Sequence, residues 1–334
     1  MDSGTAVPVG KGKWIVGSGT RRWRASPGKG ISYYAPDFFL KTENPWFTHE
    51  KNVCLNAAEL KKLFEKKKLP SLKWASPYRS PFYSGCFELE KLFKKTALQK
   101  AVPYIFETAA APFDRENFLA AFNNLLTYAE SHPLFVYAFW GDGEGMAGAS
   151  PEPLFEMAGD RIATIACAGT RSKEGFNPDE KELLEHRIVV EGILEALKKF
   201  GEPKAREREE RAFPHLFHLV TPIFVDLKGA ASLEELIGAL HPTAALGGYP
   251  KGEAQQWLLD YQTKVPRGRF GAPFGYYDAE EKKGCFIVAI RSLQWSGGEL
   301  RLGAGCGVVE GSDPEKEWEE VQCKLYAVKQ MLGF

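Results

Sequence analysis

The stretch ELRLGAGCGVVEGSDPEKEWEEVQCKLYAVKQML, Glu299 to Leu332, decides how the rest of the chain is read. Its first part alternates as a strand does, with Leu300, Leu302 and Ala304 on one face. Glycines then crowd in at Gly303, Gly305 and Gly307. Ser312 or Asp313 can cap a helix that carries Pro314 and Glu315 in its first turn. Trp318, Val321, Leu325, Val328 and Leu332 recur at helical spacing and form the stripe that meets a core. Beside them run Glu317, Glu320 and Lys324. Two carboxylates and an ammonium therefore flank a half-buried helix, next to glycine amides, which suits an anion and a divalent cation. The same residues also suit a plain surface. Glutamates near a helix start favour its dipole, and Glu320–Lys324 is an ordinary i, i+4 pair.

The remaining composition excludes several classes. The 334 residues carry 43 basic and 43 acidic side chains, so no global charge favours nucleic acid or an anionic membrane. Hydrophobic content of 44% and charged content of 26% are those of a globular protein with a large core. Six cysteines are scattered without a CxxC pair and read as free cytosolic thiols rather than a zinc site. No apolar run reaches the ~18 residues of a spanning helix. A soluble, cytoplasmic protein is expected.

Earlier segments add candidates. GSGTRRWR, Gly17 to Arg24, lacks the spacing of a phosphate loop and reads as a loop between strands. A basic helix is expected over 57–68 and another over 83–98. Lys100 falls where the second helix gives way to the strand AVPYIFE; such a lysine is idle when exposed and a candidate base when enclosed. Pro151 and Pro153 hold Glu152 in an extended segment. Asn177-Pro178 starts a long helix with Leu183, Val190, Leu194 and Leu197 facing the core. Glu182 and Glu185 repeat the i, i+3 carboxylate pair beside that stripe, and convergence of the two pairs would supply oxygen ligands for Mg²⁺. His218 opens a strand, where histidines are more often structural than catalytic. Phe270–Tyr277, Cys285–Trp295 and Leu300–Val308 read as an antiparallel meander. Strands in runs, with long helices grouped between them, argue α+β over a parallel sheet.

Eight segments in order, GASPEPLFE, IACAGTRS, KELLEHR, HLVTP, LHPTAALGGYP, FIVAIRS, GAGCGVV and EWEEVQCK, resemble the chorismate-utilising enzymes. These are the isochorismate, salicylate, anthranilate and aminodeoxychorismate synthases. The resemblance covers about Leu89 to Leu332 and divides the chain into a divergent part, 1–82, and a catalytic region, 83–334, of one chorismate-binding domain. It implies an α+β fold of the anthranilate synthase component I type: a single large domain of two packed antiparallel sheets with helices outside. It also implies that Glu185 and Glu320 hold Mg²⁺, with Glu182 and Glu317 beside them. Arg291 and the amides of Gly303, Ala304 and Gly305 would hold substrate carboxylates, His218 would lie near the ring, and Lys324 would follow the last glutamate pair.

Four places in the chain sort the subfamilies. Lys100 matches the water-activating lysine of isochorismate and salicylate synthases. Ala168 stands where aminodeoxychorismate synthases carry a nucleophilic lysine. Ala245-Leu246 resembles the isochorismate synthases, and Phe270 stands where salicylate-type relatives carry tyrosine. The resemblance therefore implies Mg²⁺-dependent isomerisation of chorismate to isochorismate, with a salicylate synthase that goes on to eliminate pyruvate as the alternative, and without a glutamine amidotransferase subunit. Neutral Lys100 would deprotonate water at ring C2, and Glu152 would protonate the hydroxyl leaving C4.

Overall fold

The computed structural model describes residues 3–10, 12–63, 69–141, 143–172, 178–213 and 216–334. Four early strands, β1 (Gly4–Gly10), β2 (Lys13–Arg24), β3 (Ile31–Tyr34) and β4 (Trp46–Asn56), pair in the order β3-β4-β2-β1. Each outer edge of this ribbon continues into a limb of sheet. β1 pairs with Phe135–Gly141, which leads through Glu144–Ser150, Ser292–Ser296 and Glu299–Gly305 to Tyr104–Ala110. β3 pairs with Pro273–Asp278, which leads through Lys283–Val288, Pro153–Ala158 and Arg161–Ser172 to Leu216–Asp226. Neighbours along this path are antiparallel.

The limbs fold face to face. Tyr137 of one meets Phe274 of the other with ring centroids 5.5 Å apart, and Val7, Tyr33, Phe139 and Ile287 share their buried cluster. Helices Arg79–Phe93, Arg115–Ala129 and Pro314–Leu332 cover the outside of the first limb. Glu180–Leu197 and Leu233–Leu240 cover the outside of the second. The expected α+β architecture holds, its two packed sheets being limbs of one hydrogen-bonded path. Among the described residues, no helix is long and apolar enough to cross a membrane.

Several local expectations need correction. Gly17–Arg24 is strand, not loop: β2 runs through it with a bulge between Ser18 and Arg21. Gly17 is needed there because a Cβ would lie 2.2 Å from the His49 ring, and Gly19 takes φ +87° at the bulge. The first basic helix ends at Lys62, and residues 64–68 lie outside those described. The next helix is Arg79–Phe93, which leaves Phe87 exposed rather than in the core. Asn177 also lies outside the described residues; Asp179 caps the long helix Glu180–Leu197. The buried stripe of that helix is Ile188, Val189, Ile193 and Leu197, and it includes Glu182 and Glu185 themselves. The glutamates therefore lie on the inward face, not beside it.

The expected meander is also different. Cys285–Trp295 is not one strand: Lys283–Val288 belongs to one limb and Ser292–Ser296 to the other. The crossing runs through Arg291, a non-glycine residue at φ +54°. A second crossing runs through Ser150, Pro151 and Glu152, between Glu144–Ser150 and Pro153–Ala158. Two functional candidates thus stand where the chain passes between the limbs.

Candidate active site

A three-stranded patch holds Lys100. The two-residue strand Lys100–Ala101 pairs with Gly248–Tyr249 on one side and Val308–Val309 on the other. Backbone pairing on both edges buries Lys100 completely. Its ammonium lies 2.9 Å from Glu185 Oε1. Gly307 makes this approach possible, since a Cβ there would sit 2.0 Å from that oxygen and 2.5 Å from Lys100 Cε. The helix–strand junction read from the sequence is therefore an interior position.

One cavity gathers most of the other candidates. Glu152, Glu185, His218, Arg291 and Lys324 supply its polar wall. Ala245, Leu246, Phe270, Gly303, Ala304 and Gly305 supply much of the remainder. Ala168 also lines it, so no nucleophilic lysine enters from that strand. Lys100 stands behind Glu185 and Gly307, while Glu182, Glu317 and Glu320 lie off the cavity wall.

Burial sets the electrostatics of the cavity. It raises the Glu152 carboxyl to about 7, against the hydrogen bond from Thr243 and the charges of Lys100 and Lys324. At neutral pH this group can hold a proton. Burial lowers Arg291 to about 10, still a cation, and presents it to any carboxylate that enters. Burial, with Arg291 and Lys324 nearby, holds His218 well below the usual imidazole range, so it is neutral. The Cys167 thiol is pushed up to about 12 by burial and is no nucleophile.

Next to the cavity the two glutamate helices meet. Burial works against the charge of Glu185, but Lys100 and Lys181 outweigh it and hold its carboxyl below the usual range. Burial and the neighbouring Glu320 push the Glu317 carboxyl up, although Lys181 pairs with it. Lys324 pairs with Glu320 and donates to the Gly305 carbonyl at 2.9 Å. Glu182 stands apart: its Oε2 accepts from the Asp179 amide at 3.0 Å in the capping box of its own helix. Among the described residues, no three carboxylate, imidazole or thiol groups converge tightly enough to close on a metal ion. Yet Glu317 Oε2 is buried without a hydrogen-bond partner, and Glu185, Glu317 and Glu320 all bear on one cation, the Lys181 ammonium. Oxygen donors of this kind suit Mg²⁺.

The family described as chorismate binding enzyme is matched over residues 90–333. The chain belongs to that family. The chain is 38% identical over 217 residues to the isochorismate synthase MenF of Bacillus subtilis, covering 60% of the chain and 45% of that protein. It spans about half the length of the curated relatives it matches. Its fold is that of the menaquinone-specific isochorismate synthase MenF of Escherichia coli, with TM-score 0.77 at 20% identity over 99% of this chain and 88% of that one. Anthranilate synthase component I of Streptococcus pneumoniae shares it too, with TM-score 0.74 at 17% identity over 98% and 90%. One fold thus serves proteins of two names, isochorismate synthase and anthranilate synthase component I, so the fold alone does not set the reaction.

Within this site, the roles of three residues were not legible in the sequence. Thr243 Oγ1 donates to Glu152 Oε1 at 3.2 Å, across 91 positions of chain. Gly307 sits in the quoted glycine run, but its role depends on Lys100 arriving from elsewhere. Lys181 precedes Glu182 in KELLEHR and reads locally as a surface lysine.

Proposed function

We propose that the chain is an isochorismate synthase, converting chorismate to isochorismate by adding water at C2 and expelling the C4 hydroxyl. The observation that carries this reading is Glu152: a buried carboxyl raised to about 7, on the wall of a cavity that also presents Arg291. An acid of that strength can give its proton to a leaving hydroxyl at neutral pH. Lys100, buried in the three-stranded patch behind Glu185, would take the proton of the attacking water in its neutral amine form. Arg291 and the Gly303–Gly305 amides bind the substrate's carboxylates, and neutral His218 lies beside the ring. Glu185 and Glu320, with Glu317 beside them, would hold Mg²⁺, which when bound orients a substrate carboxylate and offsets developing charge. Because each proton-transfer partner can run in reverse, the reaction is reversible.

Ala168 and Ala245 support water chemistry over amination, since neither supplies a nucleophile or a hydroxyl to the cavity. Pyruvate elimination from isochorismate requires the enolpyruvyl group to be held against the ring. Ala245 and Phe270 leave that pose without hydroxyl contacts, which favours release of isochorismate. The test is incubation with chorismate and Mg²⁺, chromatography of the products, and a lactate dehydrogenase-coupled reading of pyruvate. A chorismate–isochorismate mixture with little pyruvate is expected. Stoichiometric pyruvate with salicylate would make the protein a salicylate synthase, and an aminated product in ammonium would overturn both readings. The chain is read as a cytoplasmic protein working without a glutamine amidotransferase subunit.

A further inference from the structure

Lys181 is an unusual residue for its place. It is the second residue of the helix Glu180–Leu197, in the turn where the helix dipole favours acids and disfavours a cation. Its side chain reaches the far helix, 136 positions away, to pair with Glu317. There Glu185, Glu317 and Glu320 all contribute to its field, so this ammonium stands among three carboxylates drawn from two helices. It pairs with Glu317, while Lys100 pairs with Glu185 and Lys324 with Glu320. The partners differ in freedom: the Lys181 side chain keeps 28% of its surface exposed, against 3% for Glu317. A four-carbon stem at the rim can therefore swing to solvent without repacking the core, whereas the glutamates stay.

We propose that Lys181 is a built-in counter-cation of this carboxylate cluster, and that a divalent metal ion binds there by displacing its ammonium. The inference rests on the metal reading of the preceding subsection and adds to it a competitor encoded in the chain. A divalent ion held by this cluster competes with Lys181 for the Glu317 carboxylate, and carries twice the charge. Displacement lowers apparent metal affinity by the fraction of molecules in which the lysine is already withdrawn. In return the acidic cluster keeps a compensating charge when metal is scarce, since buried carboxylates without a partner destabilise the fold.

Calorimetric titration of the metal-stripped full chain with Mg²⁺ tests this, using wild type, Lys181→Met and Glu320→Gln. Lys181→Met should bind Mg²⁺ about tenfold more tightly than wild type, while Glu320→Gln should lose binding. Before metal is added the Lys181→Met protein should melt lower, by about 2 °C or more, and recover on addition of Mg²⁺. A second reading needs no variant: amine acetylation of the wild-type protein, mapped by mass spectrometry, should speed up at Lys181 when Mg²⁺ saturates the site. Mg²⁺ binding that is equal or weaker in Lys181→Met, or acetylation of Lys181 that stays constant or slows, overturns the displacement while leaving the metal reading intact. Absence of Mg²⁺ binding in both wild type and Lys181→Met overturns the metal reading and the displacement with it.

Discussion

Burial lifts the Glu152 carboxyl to about 7 in the folded chain, while the unfolded chain releases the same proton near 4.5. Between those values the folded form holds a proton the unfolded form has lost, so stability falls as pH rises from about 4.5 toward about 7 and then levels off. The gap corresponds to roughly 3 kcal/mol. Glutamine keeps the shape and never ionises. Glu152→Gln should therefore melt close to wild type at pH 5 and clearly higher at pH 8, while isochorismate formation is lost at both. Equal melting differences at the two pH values would refute the buried-acid assignment. Wild-type turnover should fall as pH climbs through about 7, because the acid then enters the reaction without its proton. Glu152 was legible because two prolines and a motif frame it. Thr243, which holds its carboxyl, was not: no local spacing links positions 91 apart.

Elements carry the site through two features of different legibility. The apolar stripe of the C-terminal helix was read correctly, since Trp318, Val321, Leu325, Val328 and Leu332 are all buried, but Glu317, read beside it, is buried with it. The helix Glu180–Leu197 was rotated in the reading, because periodicity scores glutamates as outward, while here Lys100 and Lys181 let Glu185 face in and the capping box holds Glu182. The break at Arg291 was invisible, since FIVAIRSLQW is mostly apolar and β-prone and only tertiary pairing divides it between limbs. Between helix and strand lies Gly307, where the backbone passes against Glu185 and Lys100. Gly307→Ala should separate that pair and reduce kcat by about 100-fold. Its circular dichroism should match wild type, because Gly307 has an ordinary backbone conformation and the conflict is with side chains. Undiminished turnover would show that the Lys100–Glu185 approach is dispensable.

At the scale of the whole molecule, the family motifs lie in one part of the chain and the middle of the sheet in another. β1 to β4 carry none of the eight motifs, yet they join the limbs whose crossings bear Glu152 and Arg291. β4 escaped detection because its residues 50–56 are mostly exposed and polar, without the alternation of a half-buried strand. Residues 83–334 alone should consequently be insoluble, or soluble without a cooperative urea transition, whereas the full chain should unfold in one step. A soluble, cooperatively folding 83–334 fragment would show that the limbs pack without the ribbon. The ribbon also governs the order of assembly. Tyr34 pairs opposite Gly275 and Gly4 opposite Trp140, so segments made first wait for partners made much later. During synthesis both outer strands would offer open edges to other growing chains. Those two edges are the blunted ones: β1 contains Pro8, and β3 is only four residues long. What looks like irregularity in the finished sheet is protection for the unfinished one.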